Sequence, residues 1–94
     1  MNKIIELECD KTITMLAGFN SGKIMYENQV KGKVDFNDKI TIVFPEHINN
    51  VASSFVQGFF DEFMDKIGIV GIEKNISIKS AHIELERDII DNLI

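Results

Sequence analysis

The run of residues 51–68 constrains the fold more than any other part of this sequence. It holds four of the seven phenylalanines, and on a helical wheel these rings fall in one half together with Val56, Met64 and Ile67. Acidic and small polar residues occupy the other half, and only Lys66 interrupts the apolar arc. The run therefore predicts a helix that buries one broad face in the core of the protein.

The sequence also marks where this helix starts and stops. Ser54 and Gln57 have the spacing of a capping box, with Ser53 as the neighbouring cap candidate. Gly68 can take the left-handed conformation that ends a helix. Upstream, residues 39–44 are apolar and β-branched, as in a strand, and Pro45 prevents the strand from continuing. The two serines are therefore expected in the first turn of a helix that follows a strand and a loop.

The N-terminal part predicts a hairpin and then a loop. Ile5, Leu7 and Cys9 alternate with charged residues, which is the period of a half-buried strand. Residues 12–16 are expected to pair back with that strand. Residues 17–22 are rich in glycine, asparagine and serine, which is typical of a loop.

The C-terminal part predicts a strand over residues 75–79 and a final helix capped by Ser80. Strands separated by helices favour right-handed crossovers and parallel neighbours. The predicted fold is α/β: one domain over residues 1–94, with a four-stranded mixed sheet, an N-terminal hairpin leading into β-α-β-α, and two to three helices. One face of the final helix is expected to gather the aliphatic residues Ile83, Leu85, Ile89, Ile90, Leu93 and Ile94.

Several segments resemble the STAS-like domain family, which comprises small α/β domains related to the antagonists of bacterial anti-sigma factors. The resemblance rests on residues 40–44, Ile48, residues 51–55, the Phe-Phe-Asp-Glu-Phe segment and residues 75–79. It covers the part of the chain before residue 38 only loosely. For residues 23–31 it implies a helix after Gly22, whereas the residues themselves leave a β-meander through residues 33–38 open.

The resemblance also implies a role for the serine pair. In the parent antagonists the loop carries an aspartate, two serines and a glycine, and a partner kinase phosphorylates the first serine. Ser53 matches that phosphoacceptor and Ser54 matches the second serine, which we expect to cap the helix. Ala52 stands in place of the aspartate and Phe55 in place of the glycine. Helix capping alone would also explain two adjacent serines.

The loop before the long helix and the first turns of that helix form the candidate partner surface. The apolar arc is wider than one sheet face needs, so Phe55 and Met64 at its edges are expected to be partly exposed, on a dimer or partner surface. Gly58 would let another backbone approach closely. The acidic strip on the polar face is typical of a solvated helix, but would also meet a basic partner. The residues predicted to bind a partner are His47, Asn49, Asn50, Phe55, Gly58, Asp61, Glu62 and Asp65.

Charge and motifs exclude several other classes of function. Fifteen acidic residues against ten basic ones give a net charge of −5, which disfavours binding to nucleic acid or anionic lipid. Gly18, Gly22 and Lys23 fall short of a phosphate-binding loop, because three residues instead of four separate the glycines and Ile24 follows the lysine. Neither histidine has the spacing of a metal site.

These observations predict a non-enzymatic, cytoplasmic regulatory module without a cofactor. The single Cys9 fits a reducing compartment, and no apolar run approaches membrane-spanning length. The resemblance implies an ATP-binding, kinase-like regulator as the protein partner. A second hypothesis is an acidic inhibitor, encoded by a phage or mobile element, that occludes a host nuclease or defence complex. An enzyme is the weakest hypothesis, since no paired acid and base groups stand out.

Overall fold

The computed structural model describes residues 2–93, which form an α/β domain with five strands and four helices. The strands are β1 (Asn2–Glu6), β2 (Met15–Leu16), β3 (Lys39–Val43), β4 (Asn50–Val51) and β5 (Ile76–Lys79). The helices are α1 (Phe19–Gln29), α2 (Ser53–Phe59), α3 (Asp61–Asn75) and α4 (Ile83–Leu93).

The main sheet has three parallel strands in the order β1-β3-β5. The ladder extends past the strand ends, since the Leu7 amide donates to the Val43 carbonyl and the Phe44 amide to the Lys79 carbonyl, both at 2.9 Å. Parallel neighbours need long crossovers. The connection from β1 to β3 contains α1, and the connection from β3 to β5 contains α2 and α3. The predicted strands at residues 39–44 and 75–79 are confirmed.

The predicted N-terminal hairpin is wrong, and so is the mixed four-stranded sheet. β1 begins earlier than expected and pairs with β3, while β2 pairs in parallel with β4 in a separate two-stranded sheet. Between them, the backbone amide and hydroxyl of Thr12 both donate to Asp10 Oδ1, at 2.9 and 2.7 Å. This local turn directs the chain away from β1, because it leads residues 13–16 towards the loop before α2 and not back along the first strand.

A cluster of aromatic rings around Phe59 fills the core between the sheet and the helices. Its ring lies 4.9 Å from that of Phe60 and 6.1 Å from that of Tyr26, measured between centroids. Phe63 meets Tyr26 and Phe36 edge-on, both at 5.4 Å. The phenylalanine half of the predicted helix is therefore core. Edge-to-face pairs of this kind add to the stabilisation that comes from burial itself.

Helix α1 precedes β3, as the resemblance implied, and the β-meander through residues 33–38 does not form. α1 begins within the segment expected to be a loop, directly after Gly18, whose φ of 95° makes the turn into the helix. Tyr26 and Val30 reach the core from α1 and its C-cap. The helical stripe is weak in the sequence because Gly22, which also faces the interior, has no side chain to contribute.

The helix predicted over residues 51–68 is divided. α2 ends at Phe59 and α3 starts at Asp61, although the amide of Phe60 still donates to the Val56 carbonyl at 3.0 Å. Gly68 has a φ of 67° and interrupts regular helix geometry inside α3, as expected of it. Helical structure then resumes and continues to Asn75, which the sequence did not predict.

α4 confirms the predicted final helix, but not every residue expected on its apolar face is buried. Leu85 and Ile89 are buried, whereas Ile83 is 77% exposed and Ile90 41% exposed. The expectation for Ile94 lies outside the described residues. Ser80 does not cap this helix: its hydroxyl accepts the amide of His82 at 3.0 Å, which closes a turn just before the helix starts.

Candidate partner-binding site

The loop before α2 is hydrogen-bonded along its length to the segment before α1. The ring of His47 hydrogen-bonds the Ile13 carbonyl through Nδ1 at 2.7 Å, and the Asn49 amide donates to the Thr14 carbonyl at 2.9 Å. Further along, β4 pairs with β2, and the Ala52 amide donates to the Leu16 carbonyl at 2.8 Å. The predicted contact loop is therefore half of a two-segment unit.

This unit changes the roles of the predicted loop residues. His47 is half-buried and holds the two segments together, so its Nδ1 is already engaged within the chain. Asn49 and Asn50 are exposed, and only their backbones are used by the pairing. The large apolar side chains exposed on the other segment are Ile13 and Met15.

The two serines have different environments. Ser54 Oγ accepts a hydrogen bond from the Gly18 amide at 3.0 Å, in a partly buried position. The N-cap of α2 is Ala52, in an extended conformation, and no side chain caps this helix. The prediction that Ser54 caps the helix is therefore wrong, because packing of α1 against α2 brings the Gly18 amide to its hydroxyl. Ser53 is exposed at the first position of α2.

We expect Ser54→Ala to lower the free energy of unfolding by about 1 to 2 kcal/mol, since it leaves the Gly18 amide without its acceptor. The matched control is Ser53→Ala, which makes the same chemical change one residue earlier on an exposed side chain. Its effect should stay within about 0.5 kcal/mol. Urea denaturation followed by circular dichroism measures both. Equal losses in the two variants would contradict this role of Ser54.

Two of the residues predicted to contact a partner, Phe55 and Gly58, pack within the chain instead. Phe55 is 1% exposed and stacks on Phe59, so the prediction that it is partly exposed is wrong. α1 and α4 both contact α2, and together with the sheet they cover its apolar side. Gly58 is buried, and the backbone that approaches it closely is that of α1, since an added Cβ would overlap the carbonyl oxygen of Phe19.

The acidic strip borders a groove between α1 and the α2–α3 pair. Asp61, Glu62 and Asp65 line one side of this groove, which has a volume of about 330 Å³. Lys23 Nζ lies 3.3 Å from Asp61 Oδ2, an ion pair about half-exposed on both sides. Such exposed pairs contribute little stability, but this one lowers the net negative charge that a partner would meet at the strip.

The sequence pattern did not reveal the α1 side of this groove, which carries two lysines and a glutamate. Lys23, Glu27 and Lys31 lie opposite the acidic strip. Their spacing of four residues is the one signal in the sequence that places them on a common helix side. Because α1 was expected only from residue 23 onward and without a packing partner, nothing local connected these residues to Asp61.

Tyr26 lies beneath this groove and has a strongly perturbed acidity. Burial raises the pKa of its phenol most, and a hydrogen bond to the Glu62 carboxylate and the charge of that carboxylate raise it further. The ring itself packs edge-on against Phe59 and Phe63. Glu62 therefore interacts with the core of its own chain and belongs only in part to an external surface.

Alkaline titration should show a tyrosine that ionises late. Tyr26 is the single tyrosine, so the absorbance of tyrosinate reports this residue alone. Its folded-state pKa lies above the ordinary value of 10.0. The resulting stabilisation is complete below the pKa of the unfolded chain and is lost as the pH rises toward that of the folded state. Glu62→Gln should lower the pKa but leave it above the ordinary value, because burial remains. Tyrosine titration at the ordinary value in the folded wild type would contradict this expectation.

An apolar depression adjoins the acidic strip. Phe19 is 42% exposed and Met64 37% exposed, and both line this depression beside Gln57 and Asp61. The expectation that Met64 is partly exposed is confirmed. Exposed apolar patches rimmed by polar residues mark candidate contacts with other proteins.

Metal-ligating side chains do not converge within the described chain. Within residues 2–93, no three His, Cys, Asp or Glu side chains come together as a metal site. Burial, and then the charge of Asp10, raise the pKa of the Cys9 thiol, which lowers its thiolate fraction and hence its reactivity. Among the described residues 2–93, none of the four helices has the length and apolarity needed to cross a membrane.

Comparison with known proteins finds no significant match to a family model, to a curated protein or to a solved structure.

Proposed function

We propose that this protein is a non-enzymatic, STAS-like regulatory module of the cytoplasm that binds a protein partner through the surface around Ser53. Phosphorylation of Ser53 would tune the contact. The observation that carries this proposal is the unequal use of the two serines. Ser54 is held by the Gly18 amide, whereas Ser53 is exposed, and its hydroxyl has no hydrogen-bond partner among residues 2–93.

The physical basis of the switch is charge. A phosphate on Ser53 would add roughly two negative charges to a chain that already carries a net charge of −5. The exposed side chains of the two paired segments include those of Asn49 and Asn50 and the apolar Ile13 and Met15. Adding charge at the edge of such a neutral surface would weaken apolar contacts with a partner. The resemblance suggests an ATP-binding, kinase-like regulator as this partner.

The proposal is tested by affinity capture from the source cell with wild type, Ser53→Asp and Ser53→Ala, followed by mass spectrometry. We expect wild type and Ser53→Ala to retain a kinase-like ATPase and Ser53→Asp to lose it. With the captured ATPase and labelled ATP, wild type should take up phosphate and Ser53→Ala should not. If Ser53→Asp retains the same partners as wild type, or if Ser53→Ala is still labelled, the switch at Ser53 is refuted.

A second candidate function is an acidic inhibitor that occludes a host nuclease or defence complex. The observation that favours it is the apolar depression with Phe19 and Met64 beside Asp61. The ion pair of Asp61 with Lys23 counts against it, since it neutralises part of the strip. In the same capture experiment, this candidate predicts a nuclease or defence protein that wild type and Ser53→Asp retain equally. Met64→Lys together with Asp65→Lys should release it.

A further inference from the structure

One face of the main sheet carries no helix. On the covered face, alternate residues such as Ile42 and Ile78 are buried, whereas on the other face Ile4 is 67% exposed and Ser77 is also exposed. Sheets in which all strands run parallel are ordinarily covered on both faces. The face that carries Ile4 is thus unpartnered within residues 2–93, and we refer to it as the open face.

The registers of the two strand pairs place the open-face residues in rows across the sheet. One row is Ile4, Thr41 and Ser77, the second is Glu6, Val43 and Lys79, and a third row at the other end of the strands holds Asn2 and Lys39. The second row thus carries an acidic group at one edge, an aliphatic group in the middle and a basic group at the other edge. Two strand spacings, about 10 Å, separate the two charged positions, and no ion pair joins Glu6 to Lys79 in the described chain.

We propose that the open face binds the open face of a second copy of this chain, in a dimer whose two-fold axis runs roughly parallel to β3. This rotation exchanges the two edges of the sheet, so Glu6 of each copy faces Lys79 of the other. Val43, Thr41 and Lys39, on the central strand, meet their own counterparts near the axis, and Lys39 Nζ already donates to the Lys74 carbonyl of its own chain at 2.8 Å. Stacked sheets lie about 10 Å apart with strand directions within about 30°, which brings the long Glu and Lys side chains within reach of each other.

The choice of a second copy as the occupant rests on this self-complementarity. A partner with a uniformly charged surface would meet one attractive edge and one repulsive edge, whereas the two-fold arrangement satisfies both edges twice. Three strands of five residues or fewer offer only about 200 to 300 Å² of sheet surface, well below the ~800 Å² per partner of a standard interface. The dimer is therefore weak, and its ion pairs make it weaker in high salt.

Sedimentation velocity from about 10 μM to about 1 mM protein tests the proposal, with circular dichroism to show that each variant is folded. Glu6→Lys and Lys79→Glu should each weaken dimerisation about tenfold or more, because each places like charges opposite one another at two points. The double variant Glu6→Lys/Lys79→Glu should restore it. An equimolar mixture of the two single variants should form heterodimers, since one chain then carries two basic groups in this row and the other chain two acidic groups opposite them.

Two results would overturn the proposal: wild type that stays monomeric at about 1 mM, or a dimer that neither charge reversal weakens. The second result would place the interface on another surface. Because α2 packs on the covered face of the sheet, Ser53→Asp should leave the dissociation constant unchanged. Failure of the dimer and failure of the Ser53 switch are therefore separate outcomes.

Discussion

Replacing Phe59 by alanine should lower the free energy of unfolding by about 4 kcal/mol. The side chain is 0% exposed, and its ring contacts those of Tyr26, Phe44, Phe55 and Phe60. The variant loses the transfer free energy of the ring. It also loses the contacts around the cavity that remains, because the neighbouring rings belong to separate parts of the chain and cannot all move in to fill it. Urea denaturation followed by circular dichroism gives the free energy directly.

A domain has only about 5 to 15 kcal/mol of stability. If Phe59→Ala leaves too little folded protein to measure, Phe59→Leu, with an expected cost of about 1.5 kcal/mol, supplies a measurable value. Phe19→Ala is the control, since it removes the same ring from a half-exposed position and should cost about 1 kcal/mol or less. Similar losses for Phe59→Ala and Phe19→Ala would show that the aromatic cluster is not the centre of the core.

The second large effect is expected at Gly58. Alanine is the better helix former by about 1 kcal/mol, yet Gly58→Ala should destabilise the protein by about 3 kcal/mol. A Cβ at this position would overlap the carbonyl oxygen of Phe19, and a backbone atom cannot move aside without shifting α1. Gly22 has the same constraint from the opposite side, since its Cβ would lie 2.7 Å from the Phe59 amide nitrogen.

Chemical denaturation of Gly58→Ala, Gly22→Ala and the double variant tests this crossing of α1 and α2. The double variant should cost less than the sum of the single ones, because once α1 has moved away the second methyl group meets less resistance. Gln57→Ala is the control on the exposed side of α2 and should change stability by about 0.5 kcal/mol or less. A stabilised Gly58→Ala would mean that helix propensity decides at this position and that the two backbones are not in contact.

The candidate site was only partly predictable. The acidic strip could be located because its residues fall on the polar half of one helical pattern. The fate of His47 and Ser54 could not, since their partners are the Ile13 carbonyl and the Gly18 amide. The identity of a residue does not indicate a hydrogen bond to a backbone carbonyl or amide that lies 34 or 36 positions away. Local patterns therefore favoured helix capping and surface contact, whereas the structure has hydrogen bonds within the chain.

The sequence by itself determined the α/β class, β3, β5, α4 and the aromatic face of the long helical run, because each of these is a periodic pattern within one segment. Only the tertiary structure decided which strands pair, which of the two serines is exposed and which glycine lies against another helix. The alternation in residues 5–9 is equally compatible with a hairpin partner and with β3. The choice between them depends on which distant edge is available once the helices have packed on one face of the sheet.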